Sequence, residues 1–342
     1  MSPTPSQAAH SMSPGKRFGS LVPLVPLVFA LATAMSIAAC GGDSENEGQP
    51  ASERSRAAEA TPLGTGELIV FERPAPGAEE RDLYVVGPDG GEPGLLRSPG
   101  DYPHWSPDGS ELAFLACLNP PDCTTAVALL ERSTGEVHGF SMPDPDLFTA
   151  CAIWAPSGTV LACEGTSESD PKRNGVYTLR ASDGQGLTQI TRNPGGVDAP
   201  LAYAPDGDRL VLTRTDPSGA GSALFVTRTG GGRPHRITPW GFTDDYASWS
   251  PDGRTIVFGT NGSLYRVSPE GRGLAEIPLE MPDGSSAETA FDVGFSPDGQ
   301  KIIFSLGSPA PGIYQARLDG GEVERLTTSE DHHANWGPAS GS

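Results

Sequence analysis

The sequence is poor in basic residues. Its 342 residues include 23 Lys and Arg against 43 Asp and Glu, so the formal net charge is −20. A chain of this charge repels the phosphate backbone of nucleic acids, and we therefore expect no nucleic-acid partner. Solubility is the ordinary consequence of such acidity.

The sequence also lacks the common motifs of catalytic and cofactor sites. It contains no Gly-x-Ser-x-Gly nucleophile elbow, no P-loop and no dinucleotide-binding Gly-x-Gly-x-x-Gly. It has six histidines and five cysteines, and no Cys-x-x-Cys spacing of the kind that binds zinc. We therefore predict that the protein is not an enzyme and holds no metal or other cofactor.

What the sequence does contain is a repeated turn that follows an aromatic residue. After Trp249, the residues Ser250-Pro251-Asp252-Gly253 lead into the β-branched strand 256–258. Proline presets its own φ, aspartate suits the next turn position and glycine accepts a left-handed conformation, so the motif predicts a hairpin. Related turns follow aromatic residues at intervals of 41 to 49 residues, and these residues are Trp105, Trp154, Tyr203, Trp249, Phe295 and Trp336.

A repeat of this length with several strands in each unit is typical of a β-propeller. The chain offers six sets of second, third and fourth strands, but the first set, from residue 68, lacks its innermost strand. Residues 333–336 supply that strand. We predict an all-β, six-bladed β-propeller over 63–338, followed by a tail at 339–342, which closes by pairing its N- and C-terminal strands in one blade. Repetition at one structural position favours packing between blades over carbohydrate stacking for the six aromatic residues.

The repeat resembles that of the TolB-type propellers. The resemblance lies in the aromatic-Ser-Pro-Asp-Gly phrase and in the unit endings Arg236-Ile237-Thr238 and Arg325-Leu326-Thr327, and it covers about 66–338. It implies the six-bladed fold and is poor in information about function. Some related propellers are lyases that hold a divalent metal in the channel, so a carbohydrate-active or metal-dependent enzyme is an alternative.

The N-terminal region has the features of an export signal. The basic pair Lys16-Arg17 precedes an apolar run and small residues, which predicts a signal peptide over 1–39. Ile37-Ala38-Ala39-Cys40 resembles the lipobox of bacterial lipoproteins, which implies a diacylglycerol group on Cys40. The polar stretch 40–62 suits a flexible tether, and we expect a lipid-anchored protein of the bacterial cell envelope that faces the periplasm or the exterior. An ordinary signal or an uncleaved anchor with a chance cysteine is the alternative.

Four further cysteines are candidates for disulfide bonds in an exported protein. Cys117 and Cys123 flank a tight loop, and Cys151 and Cys163 flank the hairpin of Trp154 on facing strands. We predict the pairs Cys117–Cys123 and Cys151–Cys163. The alternative is four buried thiols that act as small apolar residues.

The loops that enter the innermost strands open on the central channel and carry acidic residues. These channel-mouth candidates are Asp101, Asp198, Asp245, Asp292 and Asp331, with His332. A carboxylate ring could hold a cation, a basic peptide or a sugar, whereas each Asp could equally cap its own turn. Neighbouring residues on a strand point to opposite faces, so we expect only one of His332 and His333 to face the channel.

These observations predict a monomeric, non-enzymatic binding scaffold. Its expected partner is an envelope protein or peptide at one propeller face, and its expected contact with the membrane is the lipid on Cys40. A sensor domain for a sugar or peptide is a further alternative to the lyase-like enzyme.

Overall fold

The computed structural model describes residues 63–341 except 76, 78–79, 118–124, 220, 243–245, 285–286 and 288. The chain separates into two units, 1–50 and 51–342, and all of the described residues belong to the second. Within this described part, no helix has the length and apolar character needed to cross a membrane. The predicted signal peptide, tether and lipidated Cys40 lie outside the described residues and remain predictions.

The protein is a six-bladed β-propeller, as the sequence predicts, with four antiparallel strands in every blade. Blade 1 combines β1 (Leu68–Pro74), β2 (Arg81–Gly87) and β3 (Gly90–Arg97) with the last strand of the chain, β24 (His332–Gly337). Blades 2 to 6 each use four consecutive strands, which are β4 (Asp101–Trp105), β5 (Glu111–Cys117), β6 (Thr125–Glu131), β7 (Val137–Phe140), β8 (Phe148–Trp154), β9 (Val160–Thr166), β10 (Gly175–Arg180), β11 (Thr188–Gln189), β12 (Asp198–Tyr203), β13 (Arg209–Thr215), β14 (Ser222–Arg228), β15 (His235–Arg236), β16 (Ala247–Trp249), β17 (Ile256–Thr260), β18 (Ser263–Val267), β19 (Ala275–Glu276), β20 (Ala290–Phe295), β21 (Lys301–Leu306), β22 (Gly312–Arg317) and β23 (Glu324–Arg325).

The repeated turn joins the innermost strand of a blade to the second strand. In blade 5, the Ser250 hydroxyl donates a hydrogen bond to Asp252 Oδ1 at 2.6 Å and accepts one from the Thr255 amide at 2.9 Å. Gly253 has a φ of 71°, in the left-handed region that glycine enters without steric cost. The same serine and aspartate bonds recur in blades 2 and 6. The side chains of the motif therefore hold the turn together locally.

The apolar core consists of six clusters, each formed by side chains of two neighbouring blades. All six repeated aromatic residues are buried, with 5 to 9% of their surface exposed. They therefore pack between blades, as their repetition predicts.

The sequence predicts the outermost strands of blades 3 to 6 over 187–191, 235–238, 274–277 and 323–327, but each has only two residues. In blade 4 the chain turns inward after Arg236: Ile237 becomes buried, and Thr238 Oγ1 accepts a hydrogen bond from the Leu224 amide at 2.9 Å. Thr191 and Thr327 make the same bond in blades 3 and 6. The threonine holds this inward turn in three blades, while blade 5 has an equally short outer strand with Pro278 at the threonine position, so all four blades present a short outer edge.

The ring closes in blade 1, where β1 pairs with both β2 and β24. A buried arginine of blade 2 connects the N- and C-terminal segments that meet at this closure. Arg132 donates hydrogen bonds to the carbonyl oxygens of Gly64 at 2.8 Å and Pro338 at 3.0 Å, one from each side of the closing strands, and also to those of Gly66 and Gly109. One side chain therefore binds the N-terminal segment, a turn of blade 2 and the C-terminal segment.

Candidate functional site

The innermost strands all begin at the same end of the central channel, which we call the mouth. Three residues that lie at the same repeat position there, three before the inner aromatic, have left-handed backbones: Tyr102 at φ 53°, Asp292 at 55° and His333 at 53°. Each lies where the register with the next strand shifts, which marks a β-bulge. Such bulges redirect side chains, and strained backbone of this kind concentrates at functional sites.

Glu72, at the mouth end of β1, is the centre of the site and is fully buried. Its Oε1 accepts a hydrogen bond from the Tyr102 amide at 2.6 Å and lies 2.8 Å from His333 Nδ1. Its Oε2 lies 3.4 Å from Arg81 Nε. One carboxylate thus connects strands of two blades to a histidine and an arginine.

His333 lies between acidic and aromatic groups. Asp292 Oδ2 accepts a hydrogen bond from the His333 amide at 3.0 Å and lies 3.8 Å from its Nε2. The ring stacks with Tyr246 at a centroid distance of 4.4 Å and with Tyr102 at 5.3 Å. Burial disfavours the charged imidazole, but the hydrogen bond with Glu72 and the charge of Asp292 outweigh burial and raise the pKa of His333.

The other titratable groups at the mouth respond to the same field. Burial, opposed by His333, raises the pKa of Asp292. Burial, assisted by the nearby charge of His333, lowers the pKa of His104 to about 4. The cluster therefore favours the charged form of His333 and the neutral form of His104.

The part of the mouth that solvent can reach is aromatic and acidic. The side chain of Asp101 is 48% exposed and lies 4.0 Å from Arg81 Nε. Tyr102 and Phe148, near the start of the adjacent strands β4 and β8, are among the large apolar residues that remain exposed, at 44% and 53%. A ligand at the mouth would meet one carboxylate and two rings.

Two of the predicted mouth residues are engaged by arginines instead. Asp198 is buried, pairs with Arg214 at 2.7 Å and accepts a hydrogen bond from the Thr191 hydroxyl. Asp331 is buried and forms a two-pronged pair with Arg73 at 2.7 and 2.9 Å. These two carboxylates have structural partners, while Asp101 and Asp292 belong to the Glu72 cluster.

The remaining predicted residues are placed as follows. The His332 ring stacks on Phe291 at 5.4 Å, and burial, together with the charge of His333, lowers the pKa of His332. Cys163 is buried, and its Cα is the register partner of Cys151 across β8 and β9. The Cys151–Cys163 pair remains a prediction. Cys123 and Asp245 lie outside the described residues, so the Cys117–Cys123 pair and the role of Asp245 at the mouth also remain predictions.

Glu72, Tyr102 and Tyr246 are site residues that sequence reasoning does not identify. Glu72 follows an apolar strand and looks like its solvated end, and the tyrosines precede or begin inner strands without a carboxylate pattern. The position that the two tyrosines share, three residues before the inner aromatic, is the signal in the repeat; Glu72 has no such signal. Among the described residues, no group of three or more His, Cys, Asp or Glu has the arrangement of a metal site.

Together, the blades and the mouth define a six-bladed β-propeller with an acidic, aromatic channel mouth, and its fold is similar to that of TolB structures. Crystal structures with this fold include TolB from Acinetobacter baumannii, with a TM-score of 0.60 and 19% identity over 79% of this chain and 66% of that one. A TolB-type protein from Agrobacterium tumefaciens gives 0.58 and 18% over 80% of this chain and 90% of that one. The nidogen/laminin complex contains a propeller that gives 0.60 at 7% identity, covering 80% of this chain and 100% of that one.

Comparison of the sequence with curated proteins finds two partial relatives. No family model matches the chain. The uncharacterized protein Atu1656 of Agrobacterium fabrum is 26% identical over 57% of this chain, and the uncharacterized peptidase YuxL of Bacillus subtilis is 25% identical over 59% of it. The chain covers only 62% and 29% of the lengths of these two relatives.

The ionisation of Asp101 leads to a prediction about stability. Burial and the neighbouring Glu72 raise the pKa of Asp101 to about 6, above its ordinary value of 3.8. The protonated form is therefore favoured in the folded protein, and stability falls as the pH rises from 3.8 through 6. We expect Asp101→Asn to raise the free energy of unfolding at pH 7.5 by about 1 kcal/mol, after allowing for the exposure of the side chain.

Thermal unfolding at several pH values measures this effect. The gain should be present at pH 7.5 and disappear at pH 3.5, where both proteins are neutral at this position. Asp319→Asn, at an exposed carboxylate on another turn, is the control and should give no gain. A gain that is equal at both pH values would contradict the assignment to ionisation.

Proposed function

We propose that the protein is an exported, lipid-anchored propeller that binds an envelope protein or peptide at the mouth and catalyses no reaction. The observation that carries the proposal is the exposed set of Asp101, Tyr102 and Phe148 around one end of the channel. Exposed aromatic rings beside a carboxylate provide contact area and attract a basic or amide-rich peptide.

The geometry beneath this surface supports binding without rearrangement. Tyr102 is held by the hydrogen bond of its amide to the buried Glu72 and by its stacking on His333. A site whose groups are already fixed loses less conformational entropy when a partner binds. The left-handed backbone at Tyr102 is thus compensated by contacts that also aim its ring at the mouth.

The location in the envelope is supported by the sequence and by the type of fold. The signal-like segment and Cys40 predict export and lipidation, and 40–62 would separate the propeller from the membrane. The likeness to TolB structures agrees with an envelope role, and the nidogen/laminin structure shows a propeller of similar fold in a complex with another protein. The likeness to YuxL does not lead us to propose peptidase activity, because it covers 29% of that protein and the chain has no Gly-x-Ser-x-Gly.

Affinity capture from membranes tests the proposal. The lipidated protein and the double variant Asp101→Asn/Phe148→Ala would be cross-linked and purified in mild detergent from the native host. We expect a reproducible partner whose recovery falls at least about tenfold in the double variant, which corresponds to about 1.4 kcal/mol of binding free energy. In the same preparation, Cys40→Ser should move the protein out of the membrane fraction.

A matched control separates the mouth from exposed apolar surface in general. Leu95, on the outer strand of blade 1, is 50% exposed and lies away from the channel. Leu95→Ala should leave recovery unchanged. Equal recovery of the partner by the mouth variant and the native protein would place the binding surface elsewhere and refute the proposal.

A further inference from the structure

A cleft between blades 4 and 5 concentrates positive charge on a strongly acidic protein. Its volume is about 450 Å³, and the basic residues that line it are Arg209, Arg228 and Arg233, with His235 beside them. Glu270 is the one carboxylate among its lining residues. The cleft lies on the face opposite the mouth, because the turns after the innermost strands and the turn from β14 to β15 share that face.

Two of the arginines, Arg209 and Arg228, lie directly opposite each other on neighbouring strands. Arg209 begins β13, Arg228 ends β14, and their Cα atoms are direct register partners. Like charges directly opposite each other across a ladder destabilise a sheet. Arg209 is partly compensated by Asp206 at 3.1 Å and stacks over Trp249 at 4.9 Å. The side chains of Arg228 and Arg233 form no ion pair or hydrogen bond with any residue that the structure describes.

The repeat provides an internal comparison at the cleft between blades 6 and 1. There Lys301 and Arg317 are register partners, as Arg209 and Arg228 are in blade 4. The turn that follows Arg317 supplies two carboxylates, from Asp319 at 3.0 Å and Glu322 at 3.4 Å. In that cleft the opposed cations are neutralised by their own turn.

The corresponding turn of blade 4 contains no carboxylate. Its residues Thr229, Gly230, Gly231 and Gly232 lead to Arg233, which occupies the repeat position of Glu322. His235 stands at the position of Glu324, and its Nε2 lies 3.5 Å from the Glu270 carbonyl oxygen. Two acidic positions of the repeat are thus replaced by a cation and an imidazole, and the added charge has no partner within the described chain.

We propose that this cleft is a binding site for a phosphate group. Guanidinium groups present paired N–H donors that match phosphate oxygens; Arg209 is shared with Asp206 and, at 4.0 Å, Glu270, and the two guanidinium groups of Arg228 and Arg233 suit a group with up to two negative charges. The glycine-rich turn adds backbone without side chains beside the cleft, so a ligand can approach closely. The phosphate could come from a soluble phosphorylated compound or from a lipid headgroup, and the site is independent of the mouth.

Calorimetric titration of the full-length protein with inorganic pyrophosphate tests the site. We expect saturable binding with one pyrophosphate per chain. The double variant Arg228→Gln/Arg233→Gln should weaken binding at least tenfold while its melting temperature stays unchanged, because both side chains are exposed. Arg317→Gln, at the equivalent position of the neutralised cleft, is the matched control and should change the affinity by less than twofold.

Two further binding experiments distinguish phosphate from other anions and a lipid headgroup from a soluble compound. Citrate should bind at least tenfold more weakly than pyrophosphate, and equal binding would overturn the assignment to phosphate. In the Cys40→Ser background, which removes the proposed anchor, co-sedimentation with phosphatidylglycerol vesicles but not phosphatidylcholine vesicles, lost in the double variant, would support a headgroup source. Pyrophosphate binding without co-sedimentation would support a soluble source. Binding of neither probe, or binding that survives the double substitution, would overturn the proposal.

Discussion

Replacing Arg132 by methionine should lower the free energy of unfolding by about 1.5 to 3 kcal/mol. The side chain is among the largest that are fully buried, and its guanidinium stacks over Trp105 at 5.1 Å. Burial lowers the pKa of Arg132, and no carboxylate of the described chain pairs with it. Its charge is compensated by the backbone carbonyls of Gly64, Gly66, Gly109 and Pro338. Methionine would remove the donors of all four; water can replace them at the exposed Gly64 and Gly66, whereas the carbonyl of the buried Gly109 would lose its donor at a cost of about 1 to 3 kcal/mol.

Urea unfolding followed by circular dichroism measures this loss. Arg132→Lys should restore little of the stability, because one ammonium nitrogen cannot reach carbonyls that a planar fork contacts from three nitrogens. Arg317→Met is the control: Arg317 pairs with Asp319 and Glu322 in solvent, so we expect a change below about 0.5 kcal/mol. An Arg132→Met protein with an unchanged midpoint would show that the closure does not depend on this side chain.

Substitution of Glu72 by leucine should destabilise the protein by about 3 kcal/mol or more. The change leaves the Tyr102 amide without its acceptor and leaves Arg81 and His333 without the carboxylate between them. Glu72→Gln keeps an acceptor for the amide but removes the charge. We expect a smaller loss for this variant and a lower pKa of His333, because burial would then act with less opposition.

The pH dependence of the Glu72→Gln variant identifies the ion pair. His333 has a raised pKa in the folded protein, so its stabilising effect is complete below its ordinary value of 6.5 and is lost as the pH rises through the folded value. The difference between native protein and variant should therefore be larger at pH 6 than at pH 9.

Chemical denaturation at the two pH values, with an NMR titration of the His333 ring protons, measures the pH dependence. Glu276→Gln, at an exposed position of β19, should change neither quantity. An unchanged pKa of His333 in Glu72→Gln would contradict the pairing.

The sequence predicts the ring because the information for each blade is local. A Ser-Pro-Asp-Gly turn specifies a hairpin by its own hydrogen bonds. Each of the six repeated aromatic residues lies on the innermost strand of one blade, so their number predicts the number of blades. The closure could also be predicted, since the first unit lacks an inner strand that the C-terminal residues supply. The length of the outer strands could not, because it depends on contacts with the neighbouring strand, such as the hydrogen bonds of Thr191, Thr238 and Thr327 to its amides.

The site is less predictable because it depends on contacts between blades. Alternation along a strand predicts that one of His332 and His333 faces the channel, but the bulge at His333 changes the direction of the side chains and alternation cannot show which. Glu72 is buried only because β24 and β4 come together around it, at distances along the chain that no local pattern records. The acidic residues Asp198 and Asp331 look like Asp101 in sequence, yet each has an arginine partner in the fold.

The position of β1 between β24 and β2 also decides how the protein would bear mechanical load. A pull on the chain before Leu63 acts along β1, nearly parallel to the strand and across the hydrogen bonds of both of its ladders. These bonds are loaded in shear and must yield together, whereas a strand at a sheet edge can be peeled away one pair at a time. The hydrogen bonds of Arg132 to Gly64 and Gly66 receive the load first. A propeller held by the proposed anchor at Cys40 would therefore bear tension through two strand ladders instead of one.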